Sequence, residues 1–298
     1  PISCSVGLRY DYEHARCDFS KVQQPLNGNG ETKSLEQFNR SLHFGQFTPR
    51  FSMQYLSSHN QLFYASVSKG YKAGGFNVSF LNNDDYLYSP EYNWNYEIGT
   101  KLSFLNNRLS ADLSLFYIDW RNQQITNTIP TVGNVIRNAG RSRNKGIEAS
   151  FQARPTKSWV MYMNYGYTDA RFVHYQKEEC GILKDYGGNY LPMVPRHTFS
   201  LTTGYSFYDI CSWIDRLTLN AGVSVTGPIY WYEDNQAKQS PYALVNLRIS
   251  INKGCFTWEA WSKNLTNTDY LSYYFVTSKA YAQKGKPITL GTSVSISL

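Results

Sequence analysis

A strict alternation of apolar and polar residues along nearly the whole chain constrains its fold more than any other feature. In residues 288–298, every even position except Thr292 is aliphatic, and the odd positions carry only Thr, Ser and Gly. The stretches 217–226 and 242–252 repeat the pattern. Successive side chains of a β-strand point to opposite faces. Each stretch therefore predicts a strand with one apolar and one polar face.

The alternation predicts twelve strands, no long helix, and no linker that would divide the 298 residues. The predicted strands are 2–14, 38–56, 61–71, 92–104, 108–121, 143–153, 158–171, 195–208, 214–231, 241–252, 255–264 and 287–298. Their connections alternate strictly between long and short, and the long ones are 15–37, 72–91, 122–142, 172–194, 232–240 and 265–286. In an up-and-down antiparallel sheet, alternate connections emerge at opposite edges. One trimmed edge and one elaborate edge is typical of outer-membrane barrels.

A soluble β-sandwich would also alternate, because each of its sheets packs one face on the core. Many of the predicted strands exceed the roughly 5–6 residues of an average globular strand. They match the roughly 9–11 residues of a tilted membrane-spanning strand. Tyr and Trp gather near strand ends, as at Tyr117 and Trp120, where a membrane–water boundary would lie. These features favour the membrane, and the sandwich remains the alternative.

Composition excludes several other classes of protein. Aromatic residues make up 16% of the chain, which argues against disorder and against a coiled coil. The net charge is +7, but the basic residues are dispersed, so no nucleic-acid partner is expected. The five Cys form no CxxC pair, which argues against a zinc site or a disulfide scaffold. Cys17 with Cys180, or Cys211 with Cys255, could bridge in an oxidising compartment. His197 and Ser200 fall on opposite faces of one strand, and no catalytic constellation is present, so we do not expect an enzyme.

Four stretches occur in an order that resembles a known family. They are Phe44–Phe51 with Leu62–Asn77, Pro90–Lys101 with Arg108–Arg121, Asn138–Glu148, and Trp261–Tyr270. The chain resembles the C-terminal barrel half of TonB-dependent outer-membrane receptors. The resemblance implies an all-β fold, an antiparallel up-and-down transmembrane β-barrel with about twelve of 22 strands present. Residues 1–298 would then be the C-terminal portion of that barrel, without the plug domain and the N-terminal strands.

The end of the chain carries one more resemblance. Thr289, Gly291, Val294 and Ile296 have the spacing of the terminal signal that the outer-membrane insertion machinery reads. The family more often ends in an aromatic residue, whereas this chain ends in Leu298.

The family implies TonB-dependent uptake of a ferric siderophore or similar iron complex, with no cofactor and no resident metal. Uptake of haem, cobalamin, a peptide or a glycan, or a passive twelve-strand channel, are the alternatives. Haem is disfavoured, because Tyr71–Asn77 stands where haem receptors usually carry an Arg-Ala-Pro motif. The implied location is the outer membrane of a Gram-negative bacterium. The implied partners are outer-membrane lipid with lipopolysaccharide, and TonB–ExbB–ExbD through the N-terminal part. A surface lipoprotein partner is left open.

The long connections carry the candidate ligand-binding residues. Aromatic rings with polar tips on a rigid rim can grip a ferric siderophore, although girdle or loop packing explains them equally well. The candidates are a first set around one long connection (Tyr71, Lys72, Phe76, Tyr86 and Tyr88), a second set from two others (Tyr230, Trp231, Tyr232, Tyr273 and Tyr274), and Arg137. A basic cluster is expected to be structural or to contact lipid phosphates, and it comprises Arg137, Arg141, Arg143 and Lys145. Five charges are expected on the polar face as paired wall charges: Glu97, Lys101, Asp112, Glu148 and Arg248.

Overall fold

A computed structural model describes residues 1–23, 33–59, 61–80, 83–129, 132–138, 140–179, 182–276 and 279–297. Within these residues, twelve antiparallel strands form a single sheet. In chain order the strands are β1 Ile2–Gln23, β2 Lys33–Leu56, β3 Leu62–Lys72, β4 Glu91–Phe104, β5 Leu109–Arg121, β6 Arg141–Ala153, β7 Trp159–His174, β8 His197–Cys211, β9 Ile214–Thr226, β10 Tyr242–Lys253, β11 Phe256–Lys263 and β12 Thr289–Ile296.

The sheet is an up-and-down meander in which spatial order follows chain order. Every strand from β2 to β11 pairs with the strands before and after it. Among the described residues, β1 and β12 each pair on one side only, so the sheet is open. The twelve predicted strands and their antiparallel order are confirmed.

The first hairpin is longer than the alternation predicts. We predicted a loop over 15–37, but β1 continues to Gln23 and β2 begins at Lys33. Cross-strand partners Phe19 and Phe38 stack there, with ring centroids 4.9 Å apart. The prediction was wrong because the apolar positions change from even, as at Tyr10 and Tyr12, to odd, as at Cys17 and Phe19, while the backbone ladder continues through that change.

The ninth strand is shorter than predicted. We predicted a strand to residue 231, but β9 ends at Thr226. Gly227 and Pro228 follow it, and a proline has no N–H to donate to a ladder.

The long connections contain ordered hairpins. These are Gly75–Phe76 with Leu87–Tyr88, Gln124–Ile129 with Gly133–Asn138, Gln176–Glu179 with Ile182–Asp185, Ile229–Tyr230 with Lys238–Gln239, and Leu271–Val276 with Ala280–Lys284. A 3₁₀ turn covers Asn83–Tyr86. No helix among the described residues has the length and apolar character to cross a membrane.

The pairing register collects most of the aliphatic residues of the twelve strands on one face, which we call the apolar face. One row across β2 to β6 consists of Met53, Ala65, Ile98, Leu115 and Ile147. Ile98 is 56% exposed, and within the described residues every other sheet has only two strands. No second large sheet therefore covers this face, which contradicts the sandwich alternative. Such a continuous apolar surface requires a non-aqueous neighbour.

The opposite, polar face carries small and polar side chains. Gly99, Ser114, Glu148, Gly166 and Thr198 form one row across it. The five predicted wall charges all lie on this face by register. Two of them are direct neighbours, because Lys101 and Asp112 are cross-strand partners.

Aromatic rings lie flat against glycines on the polar face. A Cβ at Gly146 would meet the Phe116 ring, and one at Gly291 would overlap the Trp261 ring. A ring covering a strand glycine restores packing that the missing side chain cannot provide. The rings therefore follow the wall and leave the space in front of it open.

The buried apolar residues of the chain lie mainly at the long-connection edge. Phe172 is 1% exposed and packs with Ala170, Tyr175, Tyr186 and Leu191. A protein core has thus formed between the end of β7 and the connection that follows it, while the apolar face of the wall stays uncovered.

Leu113 and Ser114 provide a direct test of the two faces. Leu113→Arg places a guanidinium near the middle of the apolar face. In lipid, this substitution should lower the free energy of unfolding by about 2–4 kcal/mol. Ser114→Arg points to the polar face beside its cross-strand partner Glu148, and should cost under about 1 kcal/mol. Denaturant titration of each variant folded into lipid vesicles measures both costs. Equal costs, or a larger cost for Ser114→Arg, would contradict the assignment.

Candidate functional site

Asn77 joins the long connection after β3 to the long connection after β5. Its Nδ2 donates to Asp85 O at 2.7 Å and to Ile136 O at 2.8 Å. Its Oδ1 accepts from the Ile136 N–H at 2.8 Å. The side chain is buried, so these hydrogen bonds are shielded from water. The connections 73–90 and 122–140 therefore act as one unit.

Arg137, a predicted ligand-binding residue, strengthens the same junction. Its Nε and Nη2 donate to the two carboxylate oxygens of Asp85 at 2.7 and 2.8 Å. This hydrogen bonding raises the pKa of Arg137 above its ordinary value. The guanidinium stays charged, and Asp85 balances that charge within the protein.

The candidates of the first predicted set do not form one pocket. Tyr86 is buried, with its ring centroid 4.2 Å from that of Phe80 and 4.8 Å from that of Phe38. Phe76 and Tyr88 are half-buried on the small hairpin beside them. These rings brace the connection against Phe19 and Phe38 of the first hairpin.

Tyr71 and Lys72 lie at the end of β3 rather than in a loop. Tyr71 is on the apolar face, where its ring centroid is 5.7 Å from that of its partner Tyr92. Lys72 is exposed on the other face. Neither side chain is directed toward the rings of the second predicted set.

Four of the five residues of the second predicted set converge, and they form one wall of what we call the aromatic cleft. The Trp231 ring centroid is 6.4 Å from the centroids of both Tyr273 and Tyr274. The Tyr232 and Tyr274 rings meet edge to face at 6.2 Å. Tyr230 points elsewhere and stacks on Tyr190 at 5.5 Å.

The aromatic cleft has a volume of about 490 Å³. The connections after β5, β7, β9 and β11 all contribute to its walls. Phe172, Leu191 and Val194 form an apolar side opposite the Trp and Tyr rings. An apolar cleft with a few polar groups is the usual form of a small-molecule site.

Tyr232 provides a hydrogen-bond donor at the cleft. Its hydroxyl oxygen accepts from the Val276 N–H at 2.6 Å, so its own proton remains available to donate. Burial raises the pKa of Tyr232 above its ordinary value. The hydroxyl therefore stays protonated at physiological pH.

One ion pair borders the cleft. Lys177 Nζ lies 3.8 Å from Glu233 Oε1, and both side chains are largely buried. Neither residue was a predicted site residue, and neither were Phe172 and Leu191. The apolar run from Leu191 to Val194 within a polar connection was the available signal.

A second surface lies on the apolar face near the long-connection edge, beginning at an aromatic row and continuing toward that edge. We call it the basic patch, and it comprises Arg121, Arg141, Arg143, Lys145 and Arg171 together with Asp119 and Asp169. The aromatic row contains cross-strand partners Tyr96 and Tyr117, and Lys145 and Asp169 continue the same row on the next two strands.

The acids of the basic patch are outnumbered by its bases. Asp119 Oδ1 lies 2.6 Å from Arg141 Nε, and its Oδ2 lies 3.3 Å from Arg121 Nη2. Asp169 pairs with Arg171 at 2.8 Å. Arg143 is exposed and makes no ion pair with another described residue. The patch keeps a net positive charge.

The described residues contain no group of three or more His, Cys, Asp or Glu side chains placed to hold a metal ion. Cys211 and Cys255 are free thiols, as is Cys17. Cys180 lies outside the described residues.

Comparison with known sequences places the chain in one family of barrel proteins. The sequence model of a family described as "TonB dependent receptor-like, beta-barrel" matches residues 1–267. The chain is 25% identical to a probable TonB-dependent siderophore receptor, PiuA, of Acinetobacter baumannii, over 97% of this chain and 38% of that protein. It is 24% identical to the pesticin receptor of Yersinia pestis, over 97% of this chain and 40% of that protein. The chain thus spans about two fifths of the length of these relatives.

A solved structure has the same fold. The ferric yersiniabactin uptake receptor FyuA from Yersinia pestis superposes with a TM-score of 0.81 at 20% identity. The match covers 99% of this chain and 43% of that structure. The twelve-stranded sheet therefore has the arrangement of part of a larger barrel wall.

Asn77→Ala tests whether the connections act as one unit. The substitution leaves the Ile136 N–H and two carbonyl groups without their partner, which costs about 1–3 kcal/mol locally. We expect faster amide exchange at Ile136 and faster proteolysis of the connection 122–140. Val78→Ala, at an exposed neighbouring side chain, should change neither rate. Unchanged exchange at Ile136 in the Asn77 variant would contradict the junction.

Proposed function

The chain belongs to the TonB-dependent receptor family, and from that premise we propose that it is part of an outer-membrane receptor for a ferric siderophore. The family membership supports active import rather than passive diffusion. The observation that carries the ligand assignment is the aromatic cleft, which four long connections form at one edge of the wall. The edge that would face the cell exterior therefore holds the candidate binding groups.

The wall supports a membrane location for the receptor. Its apolar face would contact lipid of the outer membrane of a Gram-negative bacterium, and its polar face would line the lumen. A sheet in which β1 and β12 each have one free side gives no support to a closed twelve-strand channel.

The remainder of the receptor would lie in the sequence beyond this chain. The chain spans 38% and 40% of the two relatives described above, and we propose that a plug domain and further strands account for the difference. The plug would meet the charged polar face, and its periplasmic segment would engage TonB–ExbB–ExbD.

The residues of this chain would bind and release a ligand without covalent chemistry. The aromatic cleft would capture the ferric complex by ring packing and by the hydroxyl proton of Tyr232. Energy from TonB would then open a route along the polar face. The open space in front of that face, where Phe116 and Trp261 lie flat, suits passage of a large solute.

Iron uptake by cells that carry the complete receptor tests this proposal. We expect Trp231→Ala to lower uptake of ferric siderophore at least tenfold at limiting concentration, because it removes the central ring of the cleft. Trp213→Ala, at an exposed Trp of the short-connection edge, should leave uptake unchanged. Uptake should also stop in cells without TonB. Uptake that persists without TonB, or is unaffected by Trp231→Ala, would contradict the proposal.

We also propose that the basic patch binds phosphate groups of lipopolysaccharide in the outer leaflet. The patch lies on the lipid-facing side at the aromatic row and between that row and the long-connection edge, where the headgroups of the leaflet would be. Each basic residue near an anionic lipid surface contributes about 1 kcal/mol of attraction.

Charge reversal tests the lipid contact. The double variant Arg143→Glu with Lys145→Glu should lower the lipopolysaccharide that co-purifies with the receptor at least threefold. Arg50→Glu reverses a charge on the polar face, as the register places it, and should not change that amount. Equal lipopolysaccharide in the double variant and the unmodified protein would contradict the contact.

A further inference from the structure

The charges around the aromatic cleft are balanced. Among the described residues that line it, Lys177 and Glu233 alone are charged, and they face each other at 3.8 Å. Their side chains are only 20% and 10% exposed. The described lining therefore has no net charge, and its one ion pair is shielded from solvent.

Nearby guanidinium groups are already occupied. Arg137 makes its bidentate pair with Asp85, and Arg171 Nε lies 2.8 Å from Asp169. Arg171 and Arg196 also lie over the Tyr190 ring, at 3.9 and 4.8 Å from its centroid. No arginine lines the described part of the cleft, although arginine is the side chain best suited to anionic ligands.

The donors that remain at the cleft are neutral. The Tyr232 hydroxyl keeps its proton and has it available, as described above. The indole N–H of Trp231 is buried without an acceptor among the described residues. Such groups suit a ligand with carbonyl-type oxygens and apolar surface. A multiply charged anion would lose its hydration at this surface without gaining a cation.

We propose that the aromatic cleft selects ferric complexes whose net charge is close to zero. A complex of Fe³⁺ with three monoanionic bidentate arms, as in a trishydroxamate, has no net charge. A triscatecholate complex carries a charge of −3 and is disfavoured. This selectivity rests on the proposed function and names the ligand class for the same site.

Fluorescence-quenching titration of the complete receptor compares the two classes directly. The probes are a neutral ferric trishydroxamate and a ferric triscatecholate. We expect the neutral complex to bind at least tenfold more tightly. Equal or tighter binding of the triscatecholate would overturn the selectivity and leave the receptor function standing. Failure of both probes to bind would count against the receptor function as well.

Charge variants separate the effect of charge from that of ligand shape. Glu233→Gln removes one negative charge from the cleft lining, so the affinity ratio should shift at least threefold toward the triscatecholate. Lys177→Met should shift the ratio in the opposite direction. Asp234→Asn removes the same charge from an exposed neighbour outside the cleft and should leave the ratio unchanged. A ratio that responds equally to Glu233→Gln and Asp234→Asn would contradict a local charge effect.

Discussion

Contact between an apolar sheet face and hydrocarbon is the interaction on which the structure depends. The twelve strands bring their apolar residues to one side, and no other large sheet of the described chain covers them. In water such a surface would drive aggregation. In a bilayer the same surface contacts lipid. The strand pairing supplies hydrogen bonds to the backbone N–H and C=O groups, which hydrocarbon cannot do. The environment thus takes the place that a protein core has in a soluble sheet.

The long connections are stabilised by a different principle. They sit beyond the apolar face, so they need a core of their own, and Phe172 with its neighbours provides it. Buried polar contacts such as those of Asn77 then fix one connection against the next. The wall and the connections therefore respond to different perturbations. A charge on the apolar face weakens the wall, whereas the loss of one buried amide loosens the rim.

The wall was predictable from sequence because each strand carries its own signal. The alternation in 288–298 predicts which residues of β12 share a face. This prediction needs no knowledge of residues that are distant in the sequence. The cleft was only half predictable. Trp231, Tyr232, Tyr273 and Tyr274 are conspicuous, but Phe172 and Lys177 join them through tertiary packing that has no period. Tyr71 and Arg137 were expected at a ligand site, and their positions follow from register and from an ion pair with Asp85.

Quenching of tryptophan fluorescence by brominated lipids tests directly whether the apolar face contacts hydrocarbon. Trp258 and Trp261 lie on the same strand, β11, with Trp258 on the apolar face and Trp261 on the polar face. Two variants of the complete receptor would be made, with either Trp258 or Trp261 as the single Trp residue. Each would be folded into vesicles whose lipids carry bromines on the acyl chains. We expect strong quenching of Trp258 and little quenching of Trp261. Equal quenching, or stronger quenching of Trp261, would show that the apolar face does not contact hydrocarbon.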